Sequence, residues 1–321
     1  MPGPVARAPP PSGRVDLTDG ITSATRLRYR ARLSEFDAWA RLHKVPCAAD
    51  LAELDDDRVV NAALKALLQD WASARRGPAS GADLLAGFMH TFPHWRGRLA
   101  EAWKAHGVWV RATPHRTRVP LDETLLRAML SIAVFWGWSR TAAALALGFY
   151  GLLRPGELCQ IRRVHWKLPS EVRGTVGDGV VLAFMRAKTR YRAARLQSVV
   201  LRDSTAILLL ESVSRGMPSR QHLVPDGVLG LHRRFNHLLA ALGAHRLPFS
   251  PASLRGGGAV HMLQGHGASL TEIMFAGRWE SVRTVSRYLQ EGLAAYAVSH
   301  LDAVTAAHVS LAAALLQDIL R

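Results

Sequence analysis

The chain has 321 residues, 49% hydrophobic and 21% charged, a globular balance long enough for two domains and for a core that needs no disulfide or structural metal. Lys and Arg outnumber Asp and Glu by 41 to 25, a formal charge of +16, so the expected partner is a polyanion, nucleic acid ahead of an acidic membrane surface. Cys47 and Cys159 are the only cysteines, which excludes a disulfide scaffold and a four-cysteine zinc site; no stretch approaches the ~20 uninterrupted apolar residues of a membrane span, and the N-terminus lacks the apolar segment of a secretory signal.

Residues 1–22, rich in Pro, Gly and Ala and without periodicity, read as a disordered arm. Leu33, Phe36, Trp39 and Ala40 predict a helix from near Thr25 that stops before Pro46, and Val60, Leu64, Leu67, Leu68 and Trp71 predict a second over 57–74. Two further helices are expected over 82–91 and 97–109, so that 23–110 forms a helical bundle without strands. The basic, proline-containing run RATPHRTRVP at 111–120 is expected to link it to a second domain, 121–321.

Helices over 121–133 and 139–149 open that second domain. Val180 to Met185 and Leu196 to Leu201 are β-forming runs on either side of the basic segment RAKTRYRAAR, and predict two antiparallel strands joined by a turn. Helices are expected again at 203–214, 228–243, 253–265, 269–275, 280–290 and 301–320. The expected fold class is mostly α with a small antiparallel sheet.

Four places in this second domain carry residues suited to chemistry. GLLRPGEL sets Arg154 and Glu157 three apart behind an apolar helix, which taken alone is an ordinary ion pair on a helical turn. Lys188 sits in the predicted turn between strands. Only five of the 41 basic residues are lysines (Lys44, Lys65, Lys104, Lys167 and Lys188), leaving arginine at 36, and lysine, unlike arginine, can release a proton near neutral pH. SPASLRGGGAVHM puts Arg255 near a helix start, ahead of Gly256, Gly257 and Gly258. Glycines inside a helix cost roughly 1 kcal/mol each against alanine, which fits a close approach by another backbone or a phosphate. AGRWESVRTVSRYLQ holds Trp279 and, nine residues later, Tyr288. Alone these read as a buried tryptophan and a core tyrosine on one amphipathic helix. His261, six residues after Arg255, reads as a structural or surface histidine.

Taken in order, these elements resemble the tyrosine recombinases, the phage integrase family. Arg154 resembles that family's first arginine, Glu157 its acidic residue three positions on, Lys188 its hairpin lysine, Arg255 its second arginine, Trp279 its His/Trp position and Tyr288 its nucleophile; SLTEIMFAGRWESV is similar to the corresponding stretch of the Cre branch. The resemblance implies an N-terminal helical core-binding domain that grips DNA and a tyrosine-recombinase catalytic domain. It implies site-specific recombination or integration through a 3′-phosphotyrosine. Arg154 and Arg255 would clamp the phosphate, Lys188 would protonate the departing 5′-oxygen, Trp279 would donate its indole N–H, and Glu157 would orient Arg154 or Lys188. It further implies double-stranded DNA as partner, a homo-oligomer (a tetramer on two duplexes), an intracellular, DNA-associated location, and no cofactor, metal or membrane.

One position departs from the pattern. The histidine usual three residues before the second arginine is Ala252 here, which implies slowed activation of the tyrosine. Two other readings are a non-catalytic, domesticated DNA-binding protein on the same fold, and an enzyme that nicks and relaxes DNA in the manner of a type IB topoisomerase. After Tyr288 a terminal helix with an apolar face of Leu301, Val304, Val309, Leu311, Leu315 and Ile319 has two expected uses: donation to a neighbouring protomer, or docking on its own domain.

Overall fold

The computed structural model describes residues 20–113, 118–172, 178–184 and 197–321. The chain divides into two compact units, Met1–Arg116 and Thr117–Arg321.

The first unit is helical: α1 (Ser23–His43), α2 (Ala48–Glu53), α3 (Asp57–Ser73), α4 (Ala79–Thr91) and α5 (Ala100–Ala112). Two starts are written in the sequence as polar caps. The Thr22 hydroxyl accepts from the Thr25 N–H, and the Asp56 carboxylate accepts from the N–H groups of Arg58 and Val59. Phe36, Leu64, Leu67, Leu84, Phe88 and Trp95 are fully buried and form its core. The side chain of the buried Asn61 joins α3 to α5: its amide donates to the carbonyls of Asp57 and Arg98, and its oxygen accepts the Ala102 N–H. The six-residue α2 was not expected. It is too short for a periodic signal and forms because Leu51 and Ala52 are buried against the neighbouring helices.

The second unit contains α6 (Glu123–Phe135), α7 (Ser139–Tyr150), the single turn α8 (Pro155–Leu158), β1 (Trp166–Lys167), β2 (Val180–Phe184), β3 (Gln197–Leu201), α9 (Ser204–Ser214), α10 (Gly227–Ala241), α11 (Ser253–Gly265), α12 (Leu270–Gly277), α13 (Val282–Val285), α14 (Glu291–Val298), α15 (Ala303–Ala314) and α16 (Leu316–Leu320). The strands form one antiparallel sheet in the order β1-β2-β3, with Trp166 opposite Leu182 and Val180 opposite Leu201. The fold is thus mostly α with a small antiparallel sheet. The two-residue β1 is an addition to the expected pair, and the turn carrying Lys188 lies outside the described residues.

Helix α7 is buried from Thr141 to Phe149, and α6, α9 and α11 pack around it. The glycine run of α11 serves that packing. A Cβ on Gly257 would lie 2.1 Å from the Leu121 carbonyl oxygen, and one on Gly258 would lie 1.9 Å from that of Phe149. The close approach expected from the glycines is therefore made by backbone.

Three expectations change at the C-terminal end. The helix predicted over 280–290 shrinks to α13, and Tyr288 lies in the turn after it, its N–H donating to the Val285 carbonyl at 2.7 Å. The following segment forms α14, which was not predicted. The helix predicted over 301–320 breaks at Leu315 into α15 and α16. By length and composition the stretch Ala303–Leu320 could cross a membrane, but here it docks on its own unit along α6. Val309, Ala313 and Leu316 enter the core, and the Ser131 hydroxyl donates to the Ala312 carbonyl at 2.6 Å. Of the apolar face read from the sequence only Val309 is buried, while Val304, Leu311, Leu315 and Ile319 remain exposed.

Candidate functional site: a buried arginine cluster

The site begins where α7 ends. Leu152 is buried with φ +51, a left-handed turn that redirects the chain into Arg154, the N-cap of α8. Glu157, at the third position of α8, reaches back. Its carboxylate accepts the Arg154 N–H at 2.9 Å and the Arg154 Nη1 at 2.7 Å. The pair is not a surface ornament, because the Glu157 side chain is only 5% exposed. A second arginine holds the same carboxylate: Arg278 Nη2 lies 3.1 Å from Glu157 Oε2 and 3.2 Å from the Leu152 carbonyl. Burial alone would raise the Glu157 pKa, but Arg278 and Arg154 outweigh it and hold the group below the usual carboxylate range.

Arg255 projects from the first turn of α11. Ser253, the buried first residue of α11, accepts the Ser250 N–H on its hydroxyl at 3.1 Å and so ties the helix start to the turn before it. The Arg255 side chain is almost wholly buried, and its Nη2 donates to the Gly277 carbonyl. Its guanidinium carbon lies 4.4 Å from the centroid of the Trp279 ring and 5.7 Å from that of Tyr288. The two rings are 5.0 Å apart at 47°. Gly277 makes this stack possible, since a Cβ there would fall 1.8 Å from the indole. Beneath the stack lies a small core of Leu152, Ala259, Ile273 and Val285.

The electrostatics of the cluster are lopsided. Among the described residues the three guanidinium groups of Arg154, Arg255 and Arg278 stand with one carboxylate, Glu157, which pairs with Arg154 and Arg278. Burial first, and then the positive charges of Arg154 and Arg278, lower the Arg255 pKa. Among the described residues Arg255 Nε and Nη1 and Trp279 Nε1 are buried without hydrogen-bond partners. Buried donors on a cation are costly unless an acceptor meets them. The arrangement therefore suits an anion that brings several acceptor oxygens, as a phosphate does.

The structure brings together five of the six residues singled out in the sequence: Arg154, Glu157, Arg255, Trp279 and Tyr288. Lys188, the sixth, lies outside the described residues. Ala252 is the N-cap residue of α11, half-buried and without a proton-accepting side chain. Sequence reasoning missed Arg278. No residue pattern marks it, because its place at a helix end with φ +56, a position that favours glycine, shows only in the structure.

A second polar cluster stands apart. His261 Nδ1 lies 3.1 Å from Glu123 Oε2, and the Tyr150 hydroxyl donates to Glu123 Oε1 at 3.0 Å, beside a cleft of about 660 Å³ that also touches α14. His261 is thus paired with Glu123 at the edge of this cleft.

No family model matches the chain, and no curated protein matches it. Among solved structures it is similar to one described as XerA recombinase, with 15% identity, a TM-score of 0.43, and coverage of 90% of this chain and 98% of that one. A likeness so loose carries none of the neighbour's chemistry to this chain and gives no support to the closer resemblance to the Cre branch.

Proposed function

We propose that this chain cuts and rejoins DNA strands, with Tyr288 as the nucleophile. The observation that carries this reading is the trio of unpartnered buried donors, Arg255 Nε, Arg255 Nη1 and Trp279 Nε1, in a cluster whose stack includes the Tyr288 ring. The sequence resemblance to tyrosine recombinases and the +16 charge support it independently.

In the step proposed, the Tyr288 oxygen forms a bond to the scissile phosphorus and the bond from phosphorus to the 5′-oxygen breaks. The tyrosine proton leaves to solvent, and Lys188 gives a proton to the departing 5′-oxygen. The product is a 3′-phosphotyrosine and a free 5′-hydroxyl. Attack by another 5′-hydroxyl reverses the bonding and returns the tyrosine. Charge that gathers on the non-bridging oxygens meets Arg154 and Arg255, and Trp279 adds its N–H. Glu157 orients Arg154. The first unit would grip the duplex, and copies of the chain would assemble on DNA through the terminal helix once it leaves α6.

The test uses nicked suicide duplexes that trap the covalent intermediate. A denaturation-resistant adduct is expected, and Tyr288→Phe is expected to abolish it. Binding without any adduct, from a range of flanking sequences and also with Ala252→His, would favour the second reading, a DNA-binding protein that has lost catalysis. Ala252 is the observation on that side. Relaxation of supercoiled DNA by a chain that never assembles would favour the topoisomerase-like reading.

A further inference from the structure

We propose that Arg278 is a positioning residue of the arginine cluster: it pins Glu157, and through Glu157 it fixes the guanidinium of Arg154. The catalytic consequence rests on the proposed function; the positional one does not.

The argument starts from backbone. Helix α12 closes at Gly277, with the Arg278 N–H on the Phe275 carbonyl and the Trp279 N–H on the Met274 carbonyl. That closure puts Arg278 in the left-handed region, at φ +56. Glycine occupies such a helix end without penalty, whereas a side chain there is strained. An arginine in this place calls for compensation, and the side chain supplies it. It is 12% exposed and returns to Glu157, 121 residues earlier in the chain, and to the carbonyl of Leu152, itself a left-handed residue. Arg278 thus ties the α12–α13 connection, which bears Trp279, to the α7–α8 turn, which bears Arg154.

The division of labour on Glu157 follows. Oε1 takes the Arg154 guanidinium, while Oε2 takes both the Arg154 N–H and Arg278. With Oε2 held from two sides, the carboxyl plane cannot turn, and Oε1 is aimed at Arg154. Without Arg278, Glu157 keeps, among the described residues, only local bonds within its own helical turn, and Arg154 is free to take other rotamers. A cluster that must present two guanidinium groups at fixed spacing is sensitive to that freedom, since small misplacements of such groups lower rates steeply.

The experiment compares the parent chain with Arg278→Gly, Arg278→Lys, Glu157→Gln and the Arg278→Gly/Glu157→Gln double variant. Arg278→Gly relieves the backbone, so its melting temperature is expected to match or exceed the parent's. Nitrogen-15 NMR of the DNA-free protein is expected to show a slowly rotating Arg154 guanidinium in the parent, rotational averaging in Arg278→Gly, and partial recovery in Arg278→Lys. With suicide duplex at saturation, adduct formation in Arg278→Gly is expected to fall about tenfold or more while DNA affinity stays within about threefold, and the double variant is expected to be no slower than Glu157→Gln. An Arg154 signal unchanged in Arg278→Gly, or additive losses in the double variant, would overturn the proposal. Absence of any Tyr288 adduct in the parent would sink the proposed function and leave the NMR comparison to decide this one. If Arg278→Gly does not fold, the same NMR comparison between Arg278→Lys and Glu157→Gln decides it.

Discussion

The guanidinium of Arg255 is stacked on the indole of Trp279, its carbon 4.4 Å from the ring centroid. The stack links the two halves of the site, because α11 supplies the cation and the connection after α12 supplies the ring. Its donors also face different ways of losing function. Trp279→Ala removes the ring from a buried position and is expected to cost about 3–5 kcal/mol, read by urea unfolding. Trp279→Phe keeps a ring over Arg255 but loses Nε1–H. It is expected to stay folded, with a loss of about 1.5 kcal/mol or less, and to slow adduct formation.

Glu157 balances two partly or largely buried guanidinium groups. Glu157→Ala leaves both without a counter-charge and is expected to cost about 3–5 kcal/mol. The pH dependence follows from the lowered carboxyl pKa. The stabilisation is present above the ordinary value of 4.5 and is lost as pH falls through the lower folded value. Unfolding curves of parent and variant should therefore converge on acidification below pH 4.5 and differ by a constant amount above it.

The three consecutive glycines of α11, Gly256 to Gly258, make unequal demands. At Gly257 and Gly258 an added methyl meets backbone oxygens that cannot move aside, so Gly257→Ala and Gly258→Ala are each expected to destabilise by about 1–3 kcal/mol or more. At Gly256 the nearest atoms, those of Pro120, lie 3.5 Å away, an ordinary contact. Gly256→Ala is expected to stabilise by up to about 1 kcal/mol, the helix-propensity gain. Thermal unfolding of the three variants separates the cases, and a stable Gly258→Ala would show the packing described here to be wrong.

The His261–Glu123 pair gives a second pH signature. The Glu123 hydrogen bond raises the His261 pKa above 6.5, and the His261 hydrogen bond lowers that of Glu123 below 4.5. The histidine's contribution is full below 6.5 and is lost as pH rises through its raised value. The glutamate's is full above 4.5 and is lost as pH falls through its lowered value. The stability difference between the parent and His261→Gln is thus expected to peak between pH 4.5 and 6.5. Asp203, whose burial raises its pKa, interacts with both members of the pair, so His261→Gln also shifts its titration and the difference carries both groups.

Restoring a proton acceptor at the start of α11 tests the departure at position 252. Ala252→His is expected to raise the rate of adduct formation, by up to about 10²–10⁴-fold if general-base assistance is what the chain lacks. An unchanged rate would mean that another group already serves.

Much of this architecture is legible without coordinates where apolar spacing is regular: α1, α3, α7 and α11 lie close to their expected positions, and β2 and β3 pair as the β-forming runs suggest. The failures have physical causes. The amphipathic spacing of 280–290 predicts one helix, but the ring of Tyr288 packs beside Trp279 and the chain turns at Val285 instead, a case of tertiary contact overriding local propensity. Strand β1 is two residues long and leaves no pattern. Five of the site residues could be singled out by type and order, yet Arg278 could not, because its role depends on a left-handed backbone and on a partner 121 residues away.

The separate small core beneath the site has its own consequence. Arg255 is mounted on a helix welded by backbone contacts into the large core around α7, while Trp279 and Tyr288 rest on the cluster of Leu152, Ala259, Ile273 and Val285. A cluster of that size carries less opening free energy than the main core, so amide protons over 273–289 should exchange through local opening while those of α7 await global unfolding. Opening of this segment would break the bonds of Arg278 to Glu157 and Leu152 and that of Arg255 to Gly277, so the arginine cluster can come apart and re-form while the main core stays folded.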